Sequence, residues 1–405
     1  MKKSLKTLAF LIIGVVAAGA GENPPGSTAQ VYRQSNAWVQ EVSGVLTAAR
    51  TLRVTTDAGS VKIRAAAQPN ITYVLKKRVY NCVSDSDAQK YLNQFKITAW
   101  QQGDSAVLRG QCEFCGNRKH GSMDFDIVVP KDTALVNINT EGGDIAVTGI
   151  SGRMEAETGG GNIQADDVGG LVRVTSGGGN IEIGRTGGDL RLETGGGNVR
   201  VGSAKGRIDA QSGGGNITID SGQGMALETG GGTINISNAS GDLRATTGGG
   251  NITIGSVAGL AVLETGGGSI RLSSANGPVS AQSGGGSIEL FKLRQGAQAE
   301  TGGGGIVAEF ISLAGSRESH LETSAGDIVV YLADDLKATI NAAIDVGNGH
   351  AIQSDFSTIK VTTEGDDGGM REFYANGSLN GGGPYLKLHT TVGNIELRKR
   401  TLAQR

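Results

Sequence analysis

The densest group of reactive side chains in the 405-residue sequence is Cys112-Glu113-Phe114-Cys115, with Cys82 upstream and His120 downstream. Three thiolates and an imidazole make a tetrahedral zinc donor set. The same cysteines can instead form one disulfide and leave one thiol, and a single C-x-x-C with a remote third Cys is a weak metal pattern. An oxidising compartment favours the disulfide. Joining Cys82 to Cys112 or to Cys115 would staple the segment between them, so a structural bridge among Cys82, Cys112 and Cys115 is the expectation, with no metal.

Other chemistries fare less well. Asp166 and Asp167, near Arg173, could form the carboxylate pair of a polysaccharide lyase or hydrolase. Adjacent residues of a strand point to opposite faces, however, and paired Asp is ordinary in turns. Calcium β-rolls place Asp after their glycines, whereas here Asn follows most Gly triplets, and Asp144, Asp189, Asp242 and Asp327 are scattered. A phosphate cradle needs a following helix or a Lys, and neither follows. Between His120 and His320 there is no His, and between Phe125 and Phe291 no aromatic residue. A hydrolase triad and a sugar-stacking platform therefore both lack parts in this stretch. The expectation is a non-enzyme with no catalytic residues and no cofactor, a polysaccharide-active β-helix enzyme being the alternative.

The formal charge of −2 argues against a nucleic-acid partner, which needs a basic stripe. Lys2-Lys3, an apolar run over residues 8–20 and Ala18-Gly19-Ala20 read as a secretory signal over residues 1–20. The run is shorter than the roughly 20 residues a membrane span needs, so no stable span is expected after cleavage. The reading places the mature chain in the periplasm, on the outer surface or outside the cell.

What must position these residues is set by 68 Gly. Collagen is excluded, because no Gly recurs every third residue and there are only 6 Pro. The motif T/S-G-G-G-x-I/V instead recurs with its aliphatic residue at Ile163, Ile181, Val199, Ile217, Ile234, Ile252, Ile270, Ile288 and Ile306, after a variant ending at Ile145. The spacing is 18 residues, once 17. With that residue as position zero, apolar residues return at +2, +9 and +11, for example Ile181, Ile183, Leu190 and Leu192. These are two period-2 strands. Gly at +7 makes one turn and the triplet makes the other, so each repeat is one coil of a β-solenoid.

At +12, Glu193, Gln211, Glu228, Thr246, Glu264 and Gln282 alternate charged with neutral. With 18-residue coils stacked at about 4.8 Å, like charges stand about 9.6 Å apart, whereas 36-residue coils would stack Glu on Glu. At +11, Leu192, Leu227 and Leu263 alternate with Ala210, Ala245 and Ala281, which suits a narrow, dense core. The triplets are expected to supply backbone conformations closed to other residues. Asn162, Asn180, Asn198, Asn216 and Asn251 are expected to form a turn ladder from coil to coil, with the Ser or Thr before each triplet doing likewise.

The division that follows is a signal over 1–20, a flexible lead over 21–45 and an irregular β-rich part with the Cys-bearing insert over 46–140. Regular repeats fill 141–310, and C-terminal β-rich coils and a cap fill 311–405. Strands are predicted over residues 52–54, 61–63, 71–75, 106–108 and 125–129, and a helix over 87–95. The irregular flanks are expected to cap the solenoid.

Several stretches together resemble a bacterial family of exported β-strand-repeat proteins classed as candidate adhesins. These are VTTDAGSVKIRA at 54–65, MDFDIVVPKDTALVNINTEGGDIAVTGISG at 123–152, the repeats, AIQSDF at 351–356 and GGGPYLKLHTTVGNIELRK at 381–399. The resemblance implies an exported solenoid with an adhesive or surface role, and it carries over no catalytic residues. The expected partner is an envelope, surface or glycan ligand. A purely structural envelope component is a further alternative.

Overall fold

A computed structural model describes residues 27–82, 84–112, 121–313, 315–316, 318–347, 349–364 and 371–400. The expected signal and the segment Glu113, Phe114, Cys115 and His120 lie outside them. Apart from one short helix, the described residues form an all-β solenoid of two facing sheets. Among the described residues sheet A has 18 strands, and sheet B faces it with the alternate strands of each coil. Through the repeats every neighbour is parallel and one coil away: Ile181 pairs with Val199, which pairs with Ile217, and Leu190 pairs with Ile208. Sheet B is open, ending in Phe95–Gln102 on one side and Lys360–Glu364 on the other.

The core is the slot between the sheets. Ile181, Ile183, Leu190 and Leu192 are each at most 2% exposed, and each such burial contributes about 1.5–3 kcal/mol. Leu192 lies over Ala210, which lies over Leu227, so large and small side chains alternate along the slot as expected. The 17-residue repeat loses its residue in the +7 turn, and Ile217 still pairs with Ile234. A further buried row stands at +5, where Val168, Ala204, Ala239, Val257, Ala275 and Leu293 close the +7 turn. The sequence pattern misses this row because Thr186 and Gly222 interrupt it and its residues range in size from Gly to Leu.

Both flanks are built by interposing coils. Thr51–Thr56 and Val61–Ala66 form the first coil in sequence, yet it sits between the coil made by Ser105–Cys112 and Gly121–Pro130 and the one made by Leu135–Thr140 and Ile145–Thr148. The inserted Ile71–Tyr80, the α-helix Asp85–Leu92 and Phe95–Gln102 lie between those coils in sequence. Ser84 caps the helix by accepting from the Asp87 N–H at 3.2 Å. The lead expected to be flexible is instead ordered from residue 28: Thr28–Gln34 and Ala37–Leu46 form an antiparallel hairpin on Ile71–Tyr80. Burial of Val39 and Val42 fixes it.

The outermost pairs at this end of both sheets are antiparallel. At the far end of sheet B, Ala338–Ile344 takes Glu372–Leu379 antiparallel, followed by Lys360–Glu364. Reversing strand direction interrupts the parallel stacking that another copy would extend. Among the described residues no helix is long and apolar enough to cross a membrane.

Candidate functional site

The turn at the Gly triplet builds the surface of interest. The Ser or Thr before each triplet points inward and does two jobs. The Thr194 hydroxyl donates to the Gly179 carbonyl of the previous coil at 2.7 Å and accepts from the Gly197 N–H of its own at 3.2 Å. Ser212 repeats this with Gly197 and Gly215, and the file continues to Thr390. Beside it runs the Asn ladder. The Asn162 amide oxygen accepts from the Asn180 N–H, Asn180 from the Asn198 N–H and Asn198 from the Asn216 N–H, each at 2.8–2.9 Å. Asn216 accepts from the Thr233 N–H and Asn251 from the Ser269 N–H.

The reason for the triplets differs from the conformational one read from the sequence. None of their glycines has a φ in the left-handed region. Close approach of the coils requires them instead. A Cβ on Gly195 would lie 2.2 Å from the Gly177 oxygen, and one on Gly197 would lie 2.1 Å from the Gly179 oxygen. The middle glycine is under no such constraint. At Gly160, Gly178, Gly196, Gly214, Gly231, Gly249, Gly267 and Gly285 an added Cβ would meet nothing within 4 Å. The fold demands two of every three glycines, and the third keeps an exposed ridge bare.

Next to this ridge, two troughs lie end to end along the turn. One, of about 520 Å³, is lined by Thr175, Glu193, Gln211 and Glu228 over a floor that includes Gly177, Gly195, Gly213 and Gly230. The other, of about 560 Å³, continues with Thr246, Glu264, Gln282, Glu300 and Glu322 over Gly266, Gly284 and Gly302. Their wall is the +12 file, paired in register from Thr175 to Glu322. Carboxylates alternate with neutral donors until Glu300, which stands directly beside Glu322. Arg244 holds Glu264 at 3.0 Å, and the Gln282 amide reaches Glu300 at 3.3 Å. The troughs thus present hydrogen-bond acceptors and donors at a fixed axial interval. No family model matches the sequence, and no curated protein does. One solved structure, a candidate cell adhesion protein of Clostridium sporogenes, aligns with 88% of this chain and 99% of its own at 8% identity, with a TM-score of 0.15. That likeness is too slight to carry an argument.

The other residues singled out by sequence are dispersed. Cys112 is disulfide-bonded and Cys82 is a free thiol, so Cys82 is not the staple that was expected. Burial and then the nearby Asp87 charge push the Cys82 thiol up. Asp166 accepts from the Arg185 N–H at 2.9 Å, and Asp167 has φ 55°, so both do turn work. Arg173 stands in the other sheet, in Val172–Ser176. Asp189 and Asp242 accept the N–H groups of Arg207 and Leu260 in the +7 turn. Asp144 and Asp327 extend the Asn ladder, accepting from Asn162 and Asn394 at 2.7 Å. Among the described residues no group of three or more His, Cys, Asp or Glu is arranged to hold a metal ion.

Sequence reasoning missed one cluster. His320, Glu322, His389 and Asp345 form a hydrogen-bonded file on the outer face of sheet B. The local pattern does hint at it, since the break in charge alternation at Glu300 and Glu322 coincides with the end of the His-free repeats.

Proposed function

We propose that this protein is an exported, non-catalytic scaffold of the cell envelope that acts by contact along the troughs, in the manner of an adhesin. The observation that carries this reading is the bare ridge. Eight middle glycines have room for a side chain and none has one. Keeping that line clear lets a long partner lie against the turn, and the alternating file of Glu with Gln or Thr gives it hydrogen bonds about every 9.6 Å. Bound repeatedly along the axis, weak contacts add through effective concentration. An envelope glycan or surface polymer is the partner class that suits such a line of carboxylates and amides.

The test is binding of the mature protein to intact cells, isolated envelopes and immobilised linear polysaccharides, beside a chain carrying Gly178→Gln, Gly196→Gln and Gly214→Gln. The three substitutions should leave the fold intact, since an added Cβ at each meets nothing within 4 Å, and thermal melts check this. Binding should fall by roughly tenfold or more, as when a central contact is blocked. If the wild type binds none of these surfaces, the scaffold reading fails. If it binds and the variant binds equally, the contact lies off the troughs.

A further inference from the structure

The last coil in sequence is not the last in space. Tyr385–Val392 enters sheet B between Glu318–Ala325 and Ala338–Ile344, parallel to both. Ile395–Lys399 enters sheet A between Ile328–Leu332 and Ile352–Ser354. On the sheet B side this wedge carries His389. Its Nδ1 lies 3.3 Å from Oε1 of Glu322 on one flanking strand. Its Nε2 lies 3.0 and 3.1 Å from the two carboxylate oxygens of Asp345, just past the end of the other. An imidazole has two N–H donors only when protonated. A neutral ring donates to one carboxylate and turns a lone pair toward the second.

We propose that His389 makes the C-terminal coil a pH-operated wedge, clipped to both flanking strands when its ring is protonated and loosened from one of them when it is not.

The surroundings favour the charged ring. From Glu318–Ala325 come Glu322, His320, which bonds Glu322 through Nε2 at 2.8 Å, and Glu318, which pairs with Lys387 of the wedge at 2.7 Å. Glu300 stands behind Glu322. From the far side come Asp345, Tyr374, whose hydroxyl donates to Glu372, and Glu364. Partial burial pushes His389 down, but the hydrogen bonds and charges of Asp345 and then Glu322 outweigh it and hold the ring above 6.5. The His320 hydrogen bond, against burial and with help from His389, holds Glu322 below 4.5.

The signs follow. A raised imidazole contributes stability that is complete below its unfolded value of 6.5 and is lost as pH rises through its folded value. A depressed carboxylate contributes stability that is complete above 4.5 and is lost as pH falls. The clip is therefore closed between those two values and opens on the alkaline side. The ion pair on the sheet A half of the wedge keeps its charges there. Arg398 pairs with Asp355 at 3.3 Å, and the Lys399 N–H and then Arg398 hold Asp355 below the ordinary carboxylate range.

Hydrogen exchange by mass spectrometry at pH about 5.5 and about 8.5, corrected for intrinsic rates, tests this on the full chain. Residues 385–392, and one of the flanking strands 318–325 and 338–344, should open roughly two- to fivefold more at the higher pH, the range for exposed ion pairs. The His-free repeats and residues 395–399 should stay constant. His389→Gln, which leaves His320 and His350 in place, should abolish the difference, and Asp345→Asn should reduce it. An unchanged pH response in His389→Gln, or no response in the wild type, would overturn the proposal.

Discussion

Replacing Gly197 by Ala should destabilise the protein by about 3 kcal/mol or more, the upper end for overpacking a rigid site. The added methyl would lie 2.1 Å from the Gly179 oxygen and 2.4 Å from its carbon. Both are backbone atoms held in a hydrogen-bonded file, so no side chain can swing away to relieve the clash. Gly196→Ala, one residue earlier, meets nothing within 4 Å. It should be neutral or raise stability by up to about 1 kcal/mol, because Ala restricts the unfolded chain more than Gly does. Urea unfolding of the two variants measures the contrast. Equal losses would mean that the triplet is a conformational device and that the ridge is structural after all.

The second large effect belongs to the buried hydroxyl file. Thr194 is 2% exposed and its one oxygen serves two backbone groups of different coils. Thr194→Val keeps the shape and leaves the Gly179 carbonyl and the Gly197 N–H without that partner. The expected loss is about 2–4 kcal/mol, since an unsatisfied buried polar group costs about 1–3 kcal/mol. Thr194→Ser keeps both bonds, as Ser176 and Ser212 do in neighbouring coils, and should fall within about 1 kcal/mol of wild type. Thermal and urea midpoints of the pair separate hydrogen bonding from packing. If Val were as well tolerated as Ser, the file would contribute little.

These two cases show what local pattern conveys. The coil length, the inward rows at Ile181, Ile183, Leu190 and Leu192 and the alternation of Leu192 with Ala210 could all be read, because each is a period written into consecutive residues. The purpose of Gly197 could not. Its neighbour Gly179 is one coil below, and the distance between their backbones is a property of stacking, whereas glycine in a sequence first signals backbone freedom. The interposed coils were hidden for a related reason. Nothing in residues 385–392 says that they pair with 318–325 and 338–344 instead of with the preceding segment, because any parallel strand with the same alternation fits. His389 and Glu322 are 67 residues apart and meet only through that insertion. The hairpin Thr28–Gln34 with Ala37–Leu46 reads as a lead because Pro24-Pro25-Gly26 and the polar residues after it show no strand pattern, and in the structure its first strand is indeed exposed throughout.

The central claim is that each 18-residue repeat advances the chain by one strand spacing. Spin labels on outward positions of sheet A measure it. From Gln164 to Thr253 the register climbs through Glu182, Arg200, Thr218 and Asn235, five steps of about 4.8 Å, or about 24 Å. From Gln164 to Glu289 it climbs two steps more, through Arg271, to about 34 Å. Pulsed electron paramagnetic resonance on the two doubly labelled chains should give narrow distributions differing by about 10 Å. Equal distances, or a second distance shorter than the first, would contradict the stacked circuit and every surface built on it.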